Sequence, residues 1–194
     1  ANPAMLKQEG FAALHAQGFN RLSLGVQSLN DTELKALGRL HTPQGALEAV
    51  QMAHAAGFQN ISCDVMLATP YQTPQSLKST LQTLIGLPIQ HISAYLLQVE
   101  EGTPFATSSI TQHCPDDDTA ANMYEDMIQT LEDAGFLQYE ISNFARLGFE
   151  SRHNCKYWLD IEYLGCGPGA HSYLNGRRFY LPADLNGYLQ NAQK

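Results

Sequence analysis

The amino-acid sequence predicts an α/β fold built from repeated helix–strand units, of the kind that assemble a parallel barrel. The main observation is an internal repeat, because the pattern of residues 15–26 returns at 54–65 and, in shorter form, at 134–142. Each copy indicates a helix that ends at a glycine, then an aromatic residue and a strand. Repeats of this length are typical of stacked α/β units.

The second observation is an alternation along residues 22–27, where apolar side chains alternate with small or polar ones. One face of this strand is therefore apolar and the other is polar. The inward face of a closed parallel barrel is normally filled by branched apolar side chains, so a polar inward face leaves room for a ligand. Asp64 holds in the second copy the position of Gly25 in the first, so both are expected to face one lumen. The predicted lumen-facing set is Ser23, Gln27, Ser62, Asp64, Ser93 and Tyr95.

Capping residues and periodicity predict the remaining elements. A first helix is predicted over residues 3–18, and a short helix starts at Asn30 with Glu33 completing a capping box. Thr42 and Thr73, each followed by proline, start two more helices. Further strands are predicted at 61–66, 92–97 and 139–144, and acidic residues 116–118 open another helix.

After residue 145 the sequence changes character. Residues 151–158 are polar and aromatic without a clear period, and residues 164–172 form a glycine-rich turn. Asn175 and Gly176 between two strand-like segments predict a β-hairpin. The resulting division is a barrel part at 1–145 and a C-terminal segment at 146–194 that contains the hairpin and leads into a truncated domain.

Composition excludes several functions. The net charge of −8, from 11 basic and 19 acidic residues, argues against a general nucleic-acid surface. No apolar run approaches the roughly 20 residues that span a bilayer. The four cysteines form no CxxC pair, which favours unpaired thiols in a reducing cytoplasm. The chain starts without methionine and stops just after a helical start, so we interpret it as a fragment.

Gln27, Arg39 and Asp64 are the candidate ligand-binding side chains of the barrel. A carboxylate, an amide and a guanidinium at one mouth suit a zwitterionic ligand that carries a ribose. Structural roles remain open for each: a helix cap or a surface ion pair for Asp64, a bond to barrel backbone for Gln27, and solvation for Arg39.

His153 is the candidate metal-binding side chain of the C-terminal segment. It begins an HNxxYW sequence that ends at Tyr157 and Trp158. A neutral imidazole binds iron well, and aromatic rings pack on a porphyrin face. The alternative is a loop histidine that bonds to backbone.

Several of these stretches resemble the radical SAM proteins around oxygen-independent coproporphyrinogen III oxidase, and most of all their HemW branch of heme chaperones. The resemblance covers nearly the whole chain in the same order. The matching stretches are residues 2–3, 20–28, 37–42, 72–74, 91–95, 100–104, 139–145 and 153–158.

The resemblance implies a partial (β/α)6 TIM-like barrel that carries S-adenosylmethionine and a [4Fe-4S] cluster. It assigns Gln27, Arg39 and Asp64 to S-adenosylmethionine. Gln98 and His171 hold two further positions of that kind, although the oxidase carries different side chains there. In the HemW branch the histidine of HNxxYW is associated with heme, which assigns His153.

Two departures from the family pattern bear on function. The cluster motif CxxxCxxC is absent, so the cluster ligands are expected upstream of the fragment, which alone should neither bind the cluster nor cleave S-adenosylmethionine. Residues 66–70 replace the family's usual Tyr-Gly-Leu-Pro, so the loop that follows the Asp64 strand is expected to differ in geometry from that of the family.

Two functions follow from the resemblance. The first is a carrier that binds heme and delivers it to recipient proteins, which the HNxxYW sequence favours. The second is an enzyme that decarboxylates coproporphyrinogen III oxidatively to protoporphyrinogen IX.

Overall fold

A computed structural model describes residues 1–191 of the chain. The chain divides into two compact units, Ala1–Glu150 and a second that begins at Ser151. The predicted domain boundary after residue 145 concerns the limits of the barrel and stays a prediction.

The first unit alternates helices and strands, which confirms the predicted α/β class. Two short 3-10 helices, Pro3–Met5 and Ser109–His113, accompany the regular elements. The regular elements are α1 (Gln8–Ala16), β1 (Leu22–Gln27), α2 (Asp31–Ala36), α3 (Pro43–Ala55), β2 (Ile61–Leu67), α4 (Pro74–Ile85), β3 (His91–Leu96), α5 (Asp117–Asp133), β4 (Leu137–Gln138) and β5 (Asn143–Ala145).

The strands form one five-stranded sheet in the order β1-β2-β3-β5-β4. The pairs β1–β2 and β2–β3 are parallel, as helix–strand repeats require, whereas β5 pairs antiparallel with both β3 and β4. Among the described residues the sheet is open and no closed barrel forms. This arrangement agrees with a partial barrel.

The apolar face of the sheet packs against the helices and forms the core. Leu24, Cys63 and Ile92, one from each parallel strand, are fully buried there. The methionines of α5, Met123 and Met127, are buried in the same cluster, so their helical spacing reflects packing.

The third copy of the repeat does not form the single strand predicted at 139–144. It forms a tight hairpin, in which β4 and β5 flank a turn and the Tyr139 N–H donates to the Asn143 carbonyl at 3.1 Å. The carboxylate of Glu140 closes this turn by accepting from the Ser142 N–H and from the Asn143 side chain. Local polar bonds therefore overrode the strand pattern.

Two predictions at helix starts also need correction. The helix predicted over 3–18 is interrupted because Leu6 is extended and packs against the core. Asn30 caps α2 by accepting from the N–H groups of Thr32 and Glu33, as predicted. However, the Glu33 side chain does not return to Asn30, so the capping box is wrong; its carboxylate is buried and bonded elsewhere.

The second unit contains α6 (Arg152–Trp158), β6 (His171–Leu174), β7 (Arg177–Tyr180) and α7 (Leu185–Asn191). Asn175 and Gly176 join β6 to β7 with φ angles of 51° and 71°, which confirms the predicted hairpin. Residues 151–158, whose sequence shows no clear period, contain helix α6, which runs from Arg152 to Trp158. Among residues 1–191 no helix is long and apolar enough to cross a membrane.

Candidate functional site at the carboxyl ends of β1 and β2

Gln27 ends β1 in a strained backbone conformation. Its φ is 68°, and the Ser28 N–H donates to the Val26 carbonyl at 2.9 Å, so Gln27 is the centre of a three-residue turn. Non-glycine residues at such φ values are uncommon and cluster at ligand clamps and active sites. The side chain is 8% exposed, and the turn fixes where its amide lies.

Gln27 and Asp64 meet across the gap left by Gly25. A Cβ on Gly25 would lie 3.0 Å from Gln27 Nε2 and 4.0 Å from Asp64 Oδ2. The Ala1 carbonyl lies 3.8 Å from the same point, so the absent side chain leaves a space lined by an amide, a carboxylate and a backbone carbonyl. On the other side, the Ser23 hydroxyl donates to Asp64 Oδ1 at 2.8 Å and fixes the orientation of that carboxylate.

Burial dominates the electrostatics of Asp64. Loss of water raises the pKa of this carboxyl group. The Ser23 hydrogen bond, the ammonium group of Ala1 and the charges of Arg21 and Arg39 oppose that rise, in that order. Arg39 is half-buried, and its Nε has no partner in the described part of the chain. A carboxylate and a guanidinium with an unused donor thus face the same end of the strands.

The structure adds three buried polar side chains that the sequence did not single out. His41 Nε2 lies 3.0 Å from the Val26 carbonyl, while His41 Nδ1 has no partner among residues 1–191. Thr69 Oγ1 and Gln72 Oε1, in the loop that leaves β2, are likewise buried without partners there. The available signal for Thr69 and Gln72 was their place shortly after the end of β2, whereas His41 lies between α2 and α3, where no strand end marked it.

The rest of the predicted polar face is internally bonded. His91 is 1% exposed and links the Ser62 hydroxyl, 2.8 Å from Nδ1, to the Tyr139 hydroxyl, 2.8 Å from Nε2. Burial, with the Arg21 charge, lowers the pKa of His91 to about 3. Ser93 donates to Asn143 Oδ1 at 2.6 Å. Ser62 and His91 lie toward the amino ends of β2 and β3, where barrel residues serve stability, whereas Ser93 is paired with Asp64 in the middle of the sheet.

Gln98 and Tyr95 are exposed where the chain leaves β3. The Leu97 N–H donates to the Leu67 carbonyl at 2.9 Å, which continues the pairing with β2 for one residue beyond β3. Gln98 therefore follows the same edge of the sheet, but no described hydrogen bond ties it to Gln27 or Asp64.

The two remaining candidate side chains, His153 and His171, lie in the second unit. His153 is exposed on α6, and its Nε2 lies 3.0 Å from the Tyr157 hydroxyl one helical turn later. His171 opens β6, is exposed, and stacks on Tyr180 with ring centroids 5.4 Å apart. A Cβ on Gly165 would overlap the His171 carbonyl, which explains a glycine in this turn.

The described residues do not fit an iron–sulfur cluster. Among residues 1–191 no three histidine, cysteine or acidic side chains are grouped to hold a metal. Cys63 is buried in the core, where loss of water raises the pKa of its thiol. By contrast, the Gly25 gap, the Asp64 carboxylate and the free Arg39 donor fit an amino acid joined to a ribose.

A separate cavity of about 430 Å³ lies between α4 and α5. Leu77, Met123 and Met127 contribute to its lining, together with Lys78 and Asp126. None of the candidate side chains lines it, so this cavity is distinct from the site at the strand ends.

Comparison with known proteins places this arrangement in a family. A family model described as the radical SAM superfamily matches residues 1–84, which include β1, β2 and the candidate site. The chain is 41% identical over 180 residues to the heme chaperone HemW of Bacillus subtilis. The chain belongs to the radical SAM superfamily. The open, mainly parallel sheet of this radical SAM chain agrees with that assignment.

The matches to curated relatives cover nearly the whole chain but only about half of each relative. The radical SAM chain is 43% identical over 195 residues to the mouse protein named radical S-adenosyl methionine domain-containing protein 1, mitochondrial. The match to the Bacillus protein covers 92% of the chain and 48% of that relative, and the mouse match covers 100% and 43%. The chain thus spans about half the length of the curated relatives it matches.

The solved structures support the fold. The radical SAM chain superposes on coproporphyrinogen III oxidase from Escherichia coli with a TM-score of 0.80, covering 100% of the chain and 48% of the oxidase. Their sequence identity is 22%, so this likeness concerns the fold alone.

Proposed function

We propose that the natural protein carrying this chain binds heme and delivers it to recipient proteins. The observation that carries the proposal is the identity of about 40% to proteins named heme chaperone HemW over nearly the whole chain, for example 41% over 92% and 38% over 99% of it. A match of that extent includes the HNxxYW segment as well as the strands. As part of the proposal the protein is cytoplasmic, since all four cysteines are free thiols.

His153 is the proposed heme ligand. Its imidazole is exposed at the surface of the second unit, and its Nε2 is held by the Tyr157 hydroxyl. Iron binding through Nε2 would replace that hydrogen bond, and the exposed ring of Trp158 on the same short helix would offer an apolar surface to the porphyrin.

Gln27, Arg39 and Asp64 are the proposed ligands of S-adenosylmethionine. The carboxylate of Asp64 accepts from ribose hydroxyls, the guanidinium of Arg39 pairs with the methionine carboxylate, and the Gln27 amide bonds to the polar groups between them. Gln98 and His171 are additional candidates. S-adenosylmethionine held by these residues would supply a carbon-centred radical only beside a reduced [4Fe-4S] cluster, for which residues 1–191 offer no ligand group.

An enzyme is the alternative function, namely oxidative decarboxylation of coproporphyrinogen III to protoporphyrinogen IX. The observation that favours it is the full set of amide, carboxylate and guanidinium at the strand ends, which a pure heme carrier would not need. An anaerobic assay of the full-length, cluster-loaded natural protein with S-adenosylmethionine, a reductant and coproporphyrinogen III decides between them. Protoporphyrinogen as product would establish the enzyme, and its absence from protein that still binds heme would support the carrier.

The heme assignment is tested by His153→Ala in the full-length natural protein. We expect weaker heme binding, by at least about tenfold, because an axial iron ligand is lost, and unchanged binding of S-adenosylmethionine. Titration with hemin, followed by the Soret band, measures the first quantity, and calorimetry the second. His171→Ala, at an exposed histidine of the same unit that the proposal assigns to S-adenosylmethionine, is the matched control for the hemin titration alone. Superimposable hemin curves for wild type and His153→Ala would remove His153 as the ligand.

A further inference from the structure

The carboxylate of Glu33 is the most buried acidic group described, and it serves no purpose in the function proposed so far. The side chain is 0% exposed. Its Oε2 accepts from the Ser28 hydroxyl at 2.6 Å and from Gln72 Nε2 at 3.1 Å, and its Oε1 accepts from the Ser76 hydroxyl at 2.6 Å. The ion pair found among residues 1–191 joins Arg178 to Asp160, so no cation within ion-pair distance balances this charge.

The three donors come from two separate places in the chain. Ser28 directly follows the strained turn at Gln27, and its hydroxyl also accepts from the Asn30 N–H at 3.0 Å. Gln72 lies in the connection from β2 to α4, and Ser76 lies in the first turn of α4. The Glu33 carboxylate therefore joins the exit of β1 to the exit of β2.

The exit of β2 is strained like the exit of β1. Ala68 and Tyr71 have φ angles of 56° and 66°, in the region that favours glycine. Gln72 Nε2 also donates to the Met66 carbonyl at 3.0 Å, which ties Glu33 to the end of the strand that carries Asp64. Strained conformations persist only where the surroundings enforce them, and this network supplies that enforcement.

A buried charge bonded to neutral donors carries a large desolvation cost, so its retention calls for a role beyond stability. Hydrogen bonds to an ionised acceptor are also stronger and shorter than those between neutral groups, which suits a device that must hold geometry. Gln27 ends β1 at the first of the strand exits that Glu33 joins, and Asp64 lies on β2 two residues before Met66, where the network reaches the second.

We propose that Glu33 is a positioning residue, whose buried carboxylate holds the strained exits of β1 and β2 so that Gln27 and Asp64 meet the adenosyl ligand in one fixed geometry. Glu33 makes no contact with the ligand and acts through Ser28 and Gln72. This inference rests on the proposed binding of S-adenosylmethionine at the strand ends.

The test is Glu33→Gln, which keeps the shape of the side chain and removes the charge. We expect S-adenosylhomocysteine, used as a stable probe, to bind about tenfold more weakly to the full-length natural protein, as measured by calorimetry. We also expect faster amide hydrogen exchange at Ser28 and in residues 68–72, the two segments that the carboxylate joins. Gln72→Leu, which removes one donor, should move both quantities in the same direction.

Two controls separate positioning from general destabilisation. Glu48→Gln is isosteric and exposed on α3, where the carboxylate accepts from Gln44, and it should change neither affinity nor exchange. Phe58→Leu opens the core just before β2, so it should lower the melting temperature without weakening the probe.

The outcomes are distinguishable. Weaker binding by Glu33→Gln, at a melting temperature no lower than that of Phe58→Leu, would support the positioning role. Unchanged affinity in Glu33→Gln, with wild type binding the probe, would overturn the positioning role and leave the proposed function intact. Absence of binding by wild type would overturn the proposed adenosyl site and the positioning role together.

Discussion

At the scale of single residues, the sheet buries several polar side chains, and most of them form hydrogen bonds with one another. Ser62, His91 and Tyr139 form one bonded chain, and Ser23 supports Asp64. Ser62 and His91 near the amino ends of the strands are bonded, whereas Arg39 Nε and His41 Nδ1 have no partner among residues 1–191. This difference locates the candidate site within the first unit.

Asp64→Asn tests whether the buried charge of Asp64 lowers the free energy of unfolding at neutral pH. Because burial raises the pKa of Asp64, protonation stabilises the fold below the usual carboxyl pKa of 3.8, and that stability is lost as the pH rises through the folded pKa. The neutral amide avoids this loss and still accepts from Ser23. We expect Asp64→Asn to be more stable than wild type at pH 7 by about 0.5–2 kcal/mol.

Urea titrations at several pH values measure that difference, which should shrink as the pH falls toward 3.8. The same variant should bind S-adenosylhomocysteine more weakly. Asp126→Asn, an exposed carboxylate on α5, is the control for loss of charge alone. Equal or lower stability of Asp64→Asn at pH 7 would contradict the raised pKa of this buried carboxyl group.

His91 gives the fold an acid dependence. Its pKa is lowered to about 3 from 6.5, so the folded state keeps it neutral while the unfolded state binds a proton. The stability from neutral His91 is present above pH 6.5 and is lost as the pH falls through 6.5 toward 3, with a slope of up to about 1.4 kcal/mol per pH unit. We expect His91→Gln to be less stable at pH 7 and to show a shallower slope in urea titrations. A variant slope equal to that of wild type would contradict the buried neutral state.

At the scale of elements, the repeat produces the same helix end twice. Gly18 follows α1 with φ of 90°, and Gly57 follows α3 with φ of 103°. Their surroundings differ, since nothing lies near a Cβ on Gly18, whereas a Cβ on Gly57 would lie 3.0 Å from the His15 ring. The equivalence of the two copies is therefore a property of backbone conformation, and packing distinguishes them.

This difference predicts unequal costs for the same substitution. Gly18→Ala should lower the free energy of unfolding by about 1–2 kcal/mol, the cost of a left-handed residue with a Cβ. Gly57→Ala should cost more, because the His15 ring, which meets Phe58 edge-on, must also move. Chemical denaturation of both variants measures the difference, and equal losses would show that the ring accommodates the methyl group without cost.

At the scale of the whole molecule, the chain carries a candidate ligand site in the first unit and a candidate heme ligand in the second. It holds no described group of ligands for a cluster, although its superfamily is associated with one. The chemistry of the family therefore requires more ligands than these residues supply.

We expect the 194-residue chain by itself to assemble no [4Fe-4S] cluster when it is reconstituted with iron and sulfide under anaerobic conditions. Iron and sulfide analysis, with the absorption spectrum after desalting, measures this. Cys166 is exposed and is the main thiol for adventitious iron, so Cys166→Ser is the control. Four iron and four sulfide ions per chain, retained in Cys166→Ser, would contradict the prediction.

The sequence by itself determined the α/β class, the parallel order of the first three strands, the glycine-ended helices and the Asn175 hairpin. These features follow from local signals, namely periodicity, caps and the freedom of glycine, that act within a few residues. Gln27, Arg39 and Asp64 were singled out because side-chain type and position at strand ends are also visible in sequence. Their role as ligands stays a prediction.

The tertiary structure alone decided the hairpin at 137–145 and the true partners of Glu33. It also decided which buried atoms of His41, Thr69 and Gln72 have no partner among residues 1–191. Glu33 shows the reason. Its spacing from Asn30 fits a capping box, but hydroxyls from the turn after β1 and from the start of α4 lie within 2.6 Å of its oxygens. Hydrogen bonds between residues that are distant in sequence depend on how the strands and helices pack. A local pattern therefore cannot show whether a distant donor will replace the local one.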